Sequence, residues 1–113
     1  MIFHITSASD WQAAQLAGQY IAASLKSVGF IHCSKQDQVL EVSNRLFLGS
    51  SDLVLLEILP EALTAEIRYE NLEGGIEQYP HIYGPIPLAA VQRVVPFPPG
   101  PQGRFSLPVE LME

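Results

Sequence analysis

Residues 52–59 read DLVLLEIL. The run is too short for an ordinary helix and too apolar for a strand with one wet face, so it predicts a central strand covered on both sides. Pro60 ends it, because proline removes a ladder donor. Glu57 is the one charge between Leu53 and Leu59. It must therefore stand at a pocket edge or find a partner. Downstream, TAEIRYE at 64–70 alternates polar and apolar residues and reads as a strand, with Glu66, Arg68 and Glu70 on a solvated face. NLEGGIEQYP at 71–80 carries the turn signal Gly74–Gly75. PLAAVQ at 87–92 suits one helical turn, RVVPF at 93–97 a strand, and PFPPGPQG at 96–103 a loop, after which RFSLP at 104–108 adds one short strand.

Upstream the pattern changes. MIFHI opens a strand, and Ser7 followed three residues later by Asp10 resembles a capping box, which starts a helix over Ser9–Ala17 that stops near Gly18. YIAASL is either a short strand or a further helical turn. GFIHCS at 29–34 is a second strand. From Ser34, the expected N-cap, SKQDQVLEVSNRLF places Val39, Val42, Leu46 and Phe47 at helical spacing. Two helices in the first half and strands dominating the second predict an α+β fold, not a doubly wound parallel sheet.

The chain of 113 residues is one domain's worth, 1–113, with 48% hydrophobic and 16% charged residues. Its net charge of −6 argues against nucleic acid as a general partner, but leaves room for a small anionic ligand in a locally positive pocket. The single cysteine, Cys33, has no internal disulfide partner and fits a reducing compartment. MIFHITSASDW lacks a basic start and a long apolar stretch, and no apolar run approaches a membrane span, so the expected location is cytoplasmic, away from membranes.

Alternate side chains of a strand share a face. Ile2, His4 and Thr6 then face one way, as do Phe30, His32 and Ser34, and each strand offers a histidine followed two residues on by a hydroxyl. If the strands are neighbours, the four polar groups converge, since Cβ atoms across adjacent strands lie roughly 4.5–5.5 Å apart. Ser34 at a helix N-terminus adds unpaired N–H groups suited to an anion, and Arg45 and Arg68 are the charged supplements. Cys33 points away from His32, and neither CxxC nor HExxH occurs, so no metal site is expected. In YPHIYGP, an extended chain turns Tyr79, His81 and Tyr83 one way between Pro80 and Pro85. The segment is either a rigid loop that stacks on a flat ring or an aromatic plug under the sheet.

From His4 to about Phe105, the order HIT, GFIHCS, NRLF, LVLLEI, AEIRYE and YPHIYGPIPL resembles the domain-of-unknown-function family 952. The resemblance implies an ADP-ribosyltransferase-like fold of two small, packed, mostly antiparallel sheets, with NAD or a related nucleotide in a cleft between them. It also implies ribose contact for His4 and ring contact for His32, the two catalytic candidates. Thr6 and Ser34 become neighbouring polar contacts, and His81 and Tyr83 part of the cleft wall. The reaction would be ADP-ribosyl or phospho-transfer; the alternative is a non-catalytic ligand-binding or protein-interaction module with structural histidines. The resemblance further implies the branch of that fold class similar to the RNA 2′-phosphotransferases, which uses histidine in both places and lacks the catalytic glutamate of the glutamate-using branch; the chain departs from it in lacking its several arginines. For the glutamate of the other branch, Glu57, Glu66, Glu70 and Glu77 are all available and no motif selects one.

Overall fold

A computed structural model describes residues 1–112. Strand β1 (Ile2–Ser7) leads into helix α1 (Ala8–Ala17), which the Ser7 hydroxyl caps by accepting the Asp10 N–H at 3.1 Å. Gly18 closes the helix at φ 89°, donating its N–H to Ala14 at 2.9 Å in the left-handed conformation that glycine adopts without Cβ strain. The ambiguous YIAASL stretch divides between strand β2 (Gln19–Tyr20) and helix α2 (Ala23–Ser27). After β3 (Ile31–His32) a 3-10 turn precedes α3 (Val39–Leu46). The second half supplies β4 (Leu53–Ile58), β5 (Ile67–Glu70), β6 (Tyr79–Ile82), β7 (Ile86–Pro87) and β8 (Val91–Pro96). A 3-10 turn at Leu88–Ala90 stands where PLAAVQ predicted a helical turn.

These elements form an α+β arrangement of antiparallel sheets. β4 is the centre of β1–β4–β8, β6 is the centre of β3–β6–β5, and β2 pairs with β7. The two larger sheets meet at one bridge, where Phe3 and Ser34 exchange both backbone hydrogen bonds at 2.8 Å. Two apolar clusters clothe the first sheet. Ile2, Leu56 and Ile58 pack toward α1 and the second sheet's Ile31 and Ile82, while Phe3, Ile5, Leu53 and Leu55 pack toward Val39, Phe97, Phe105 and Leu111. Apolar cover on both faces is the reason β4 reads as an unbroken hydrophobic run. Glu57, the exception, pairs across the ladder with Arg93 at 2.7 Å.

Three expectations need correction. Ser34 is not a helix N-cap: its N–H and C=O are spent on Phe3, and the turn that precedes α3 is started by Gln38, whose Oε1 accepts the Lys35 N–H at 2.9 Å. RFSLP is not a strand, because the Asn44 side chain takes up the backbone N–H and C=O of Phe105 at 2.8 and 3.3 Å. YPHIYGP is neither a loop nor a plug. Its first half is the central strand β6, where a buried Pro80 is tolerated although it donates nothing, and Cys33 donates to its carbonyl at 3.0 Å.

Candidate functional site

The register of the second sheet sets Arg68, His81 and His32 in one row across β5, β6 and β3. Alternation then puts Ile31, Cys33 and Ile82 on the face toward the core, and Phe30, His32, Glu70, Tyr79, His81 and Tyr83 on the other. Phe30 lies flat on His81, with ring centroids 4.1 Å apart and planes 21° apart. His32 stands edge-on to both, 4.8 Å from Phe30 and 5.6 Å from His81.

Glu70 organises this face. Its Oε1 accepts from His81 Nδ1 at 2.9 Å and, more closely, from the Tyr83 hydroxyl. The Tyr83 bond first and the His81 bond second hold the Glu70 carboxyl below its ordinary range, so it is ionised at neutral pH. The same bond raises the Tyr83 phenol. Arg68 lies over the Tyr83 ring at 4.4 Å and is itself clamped by Glu66 at 3.0 and 3.1 Å. Glu66, Arg68 and Glu70 therefore do share one strand face, but they are paired with neighbours and not simply solvated. Since Nδ1 must donate to a carboxylate, a neutral His81 carries its lone pair on Nε2. His81 is only 7% exposed, yet Nε2 meets no partner, and no buried side-chain nitrogen or oxygen among the described residues lacks one. Nε2 is consequently not sealed off from solvent.

A cleft of about 380 Å³ opens over these rings. Its lining joins Phe30, His32, Tyr79 and His81 of the second sheet's outer face with Val42, Arg45, Leu46 and Phe47 of α3 and its end, and with the segment Glu70–Glu73. Arg45 is the sole lysine or arginine on these walls among the described residues. It is held by Glu41 at 2.7 Å, and Glu41 also accepts from the Tyr79 hydroxyl at 2.9 Å. The segment after β5 is shaped by Asn71, whose Oδ1 accepts the N–H groups of Glu73 and Gly75 and whose Nδ2 donates to Glu77 at 2.7 Å. A Cβ on Gly75 would lie 2.8 Å from Asn71 Nδ2, which explains glycine there.

His4 borders the same cleft in a different state. Its Nδ1 lies 2.6 Å from the His32 carbonyl and must donate; its Nε2 lies 2.8 Å from the Tyr20 hydroxyl, which also meets Thr6 Oγ1 at 3.0 Å. Both ring nitrogens are thus engaged inside the protein. Burial, foremost, lowers the His4 pKa to about 4, so the ring is neutral. His32 is lowered too, by partial burial and then by the neighbouring His81, but its ring nitrogens are free.

The eight residues singled out from sequence divide accordingly. His4, His32, Ser34, Arg45 and His81 border the cleft; Thr6, Arg68 and Tyr83 do not, serving instead behind it. Glu70 was one carboxylate among four in the sequence. Only its position opposite the β6 aromatics marks it, and that comes from register. Cys33 is buried, its thiol pushed well up by desolvation. No group of three or more His, Cys, Asp or Glu among the described residues is placed to hold a metal ion, and no described helix is long and apolar enough to cross a membrane.

The family described as "Protein of unknown function (DUF952)" matches residues 5–94. No curated protein matches. Among solved structures the chain is similar to protein CC0527 from Caulobacter crescentus. Its crystal structure has 31% identity and a TM-score of 0.88 over 99% of this chain and 98% of that one. Its solution NMR structure has 32% identity and a TM-score of 0.84 over 99% and 97%. A crystal structure of its double mutant has 30% identity and a TM-score of 0.87 over 99% and 98%.

Proposed function

The chain belongs to the DUF952 family, and on that premise we propose that it is a small-molecule-binding domain that takes NAD or a related nucleotide in the cleft over β3 and β6, with chemistry at the ribose. The observation that carries this reading is the wall of three rings, Phe30, His32 and His81, facing a hollow of about 380 Å³. That volume sits toward the small end of the roughly 300–1,000 Å³ typical of ligand sites, enough for a flat heterocycle and its sugar. His32, neutral and unpartnered, is the ring-contacting residue. Arg45 at the mouth meets the phosphates, exchanging Glu41 for them. His4 does not touch the ribose in this reading. Its two hydrogen bonds tie β1 to the His32 carbonyl and to Tyr20, so it fixes the strand that carries His32. Two three-stranded antiparallel sheets joined at Phe3–Ser34, with a cleft beside the join, are in keeping with an ADP-ribosyltransferase-like arrangement.

Titrating NAD, ADP-ribose and nicotinamide into the labelled protein, followed by NMR, tests the reading. Shifts centred on Phe30, His32 and His81 are expected with NAD. Silence with all three compounds, or shifts confined to other surfaces, would refute it. A purely binding role has one specific observation in its favour, namely that the walls, among the described residues, carry a single arginine, already paired with Glu41. Binding without nicotinamide release selects that role.

A further inference from the structure

We infer that His81 is the proton acceptor of the cleft and Glu70 its positioning residue: Glu70 holds Nδ1–H, and Nε2 takes the proton from a water or hydroxyl that attacks the bound nucleotide. The inference rests on the nucleotide reading above for its substrate and on this chain's geometry for the base.

Four observations carry it. The Glu70 contact at 2.9 Å selects one tautomer and leaves the Nε2 lone pair outward. The imidazole is clamped, since Phe30 covers one ring face at 4.1 Å and Glu70 fixes its rotation, so little ordering remains to be done when a substrate arrives. Glu70 is in turn fixed by the Tyr83 hydroxyl, and Tyr83 by Arg68 and Glu66 behind it. Finally, Nε2 of the His81 ring has no partner inside the protein, and His81 borders the cleft. A base within hydrogen-bonding reach of the site and oriented by a third group is the arrangement that general-base catalysis requires. His4, whose nitrogens are both bonded internally, does not have it.

With water as nucleophile the step is a hydrolysis. Nε2 of His81 takes one proton from water as the water oxygen bonds to the anomeric carbon of the ribose. The carbon–nitrogen bond to the heterocycle breaks, and its electron pair stays on the ring nitrogen, so a pyridinium ring leaves neutral. His81 then returns the proton to solvent. No oxidant or further reactant is needed.

Two measurements decide the assignment. Long-range proton–nitrogen NMR spectra of the histidine rings are expected to show His81 as the Nδ1–H tautomer in the wild type and a relaxed tautomer mixture in Glu70→Gln. A simple packing role for Glu70 leaves the tautomer unmoved. Nicotinamide release from NAD is expected to fall by about 100-fold or more in His81→Asn, the usual weight of a general base, with the loss in kcat measured at saturating NAD. The Nε2–H tautomer in the wild type, or undiminished release by His81→Asn, would overturn the inference and leave the ligand reading standing. A wild type that does not bind NAD overturns the ligand reading, and the tautomer measurement then decides the base by itself. If His81→Asn fails to fold, Glu70→Gln is the variant for both measurements, and intact tautomer and release there count against the proposal.

Discussion

His4 makes the stability of this protein sensitive to acid in a pH range where carboxylates are not. The ring is buried and neutral with a pKa lowered to about 4, against 6.5 for an exposed histidine. The folded value lies below the unfolded one, so the unfolded chain takes up the proton first. The His4 contribution is therefore intact above about pH 6.5 and is lost as the pH falls toward 4. Each pH unit inside that window is worth about 1.4 kcal/mol, and from pH 7 to pH 5 the single-site loss is about 1.8 kcal/mol. Glu41, Glu66 and Glu70, whose pKa values are lowered from 4.5, add their own losses mainly as the pH falls below 4.5, under the span from pH 7 to pH 5. His32 shifts in the same direction as His4, so a control is needed. His4→Gln supplies it: the amide N–H₂ replaces Nδ1–H toward the His32 carbonyl, the amide oxygen accepts from Tyr20, and nothing titrates. Urea midpoints are measured for both chains at several pH values between 7 and 5. At a slope of roughly 1–3 kcal/mol per molar urea, wild type should lose about 1 M more in midpoint than the variant. Equal losses in the two chains would refute the reasoning, as would a His4 NMR titration centred near 6.5.

Tyr20→Phe removes the hydroxyl shared by His4 and Thr6, and leaves a buried ring nitrogen unsatisfied. Stability should drop by about 1–3 kcal/mol in thermal or urea unfolding, with the circular dichroism spectrum unchanged. Arg45→Ala should weaken NAD binding by up to about fivefold in calorimetry, with the difference shrinking as salt is added, and should leave nicotinamide binding alone, because this exposed cation faces the phosphates and not the ring. Cys33 should resist a thiol reagent such as dithionitrobenzoate at pH 8 in the native protein and react fully in urea, since burial keeps its thiol protonated.

The elements that were legible in the sequence are those specified by near neighbours. DLVLLEIL announces β4 because a strand covered on both faces needs apolar residues at nearly every position. Ser7, Asp10 and Gly18 bracket α1 because caps are chosen by residues within one turn. Alternation along β3 correctly separates His32 from Cys33. The same reasoning failed where a distant group intervenes. Ser34 looks like an N-cap until Phe3, 31 residues earlier, takes its N–H and C=O. RFSLP looks like a strand until Asn44 binds its backbone.

The candidate site shows the same division. Its residue types, histidine beside hydroxyl and aromatic, were visible by inspection, because chemistry belongs to the side chain. Their states were not. His4 and His32 are alike in sequence, each followed two positions on by a hydroxyl residue, yet one is locked between Tyr20 and a carbonyl while the other stands open. Glu70 is one of three alternating charged residues until strand pairing sets β5 against β6 and brings its carboxylate to His81 and Tyr83. Composition and periodicity thus determined the α+β class, the central strand and the supply of reactive groups, all consequences of local sterics and solvent exclusion. Which imidazole faces solvent and which carboxylate orients it depends on cross-strand register and on hydrogen bonds between segments far apart in the chain, and only the folded structure sets those.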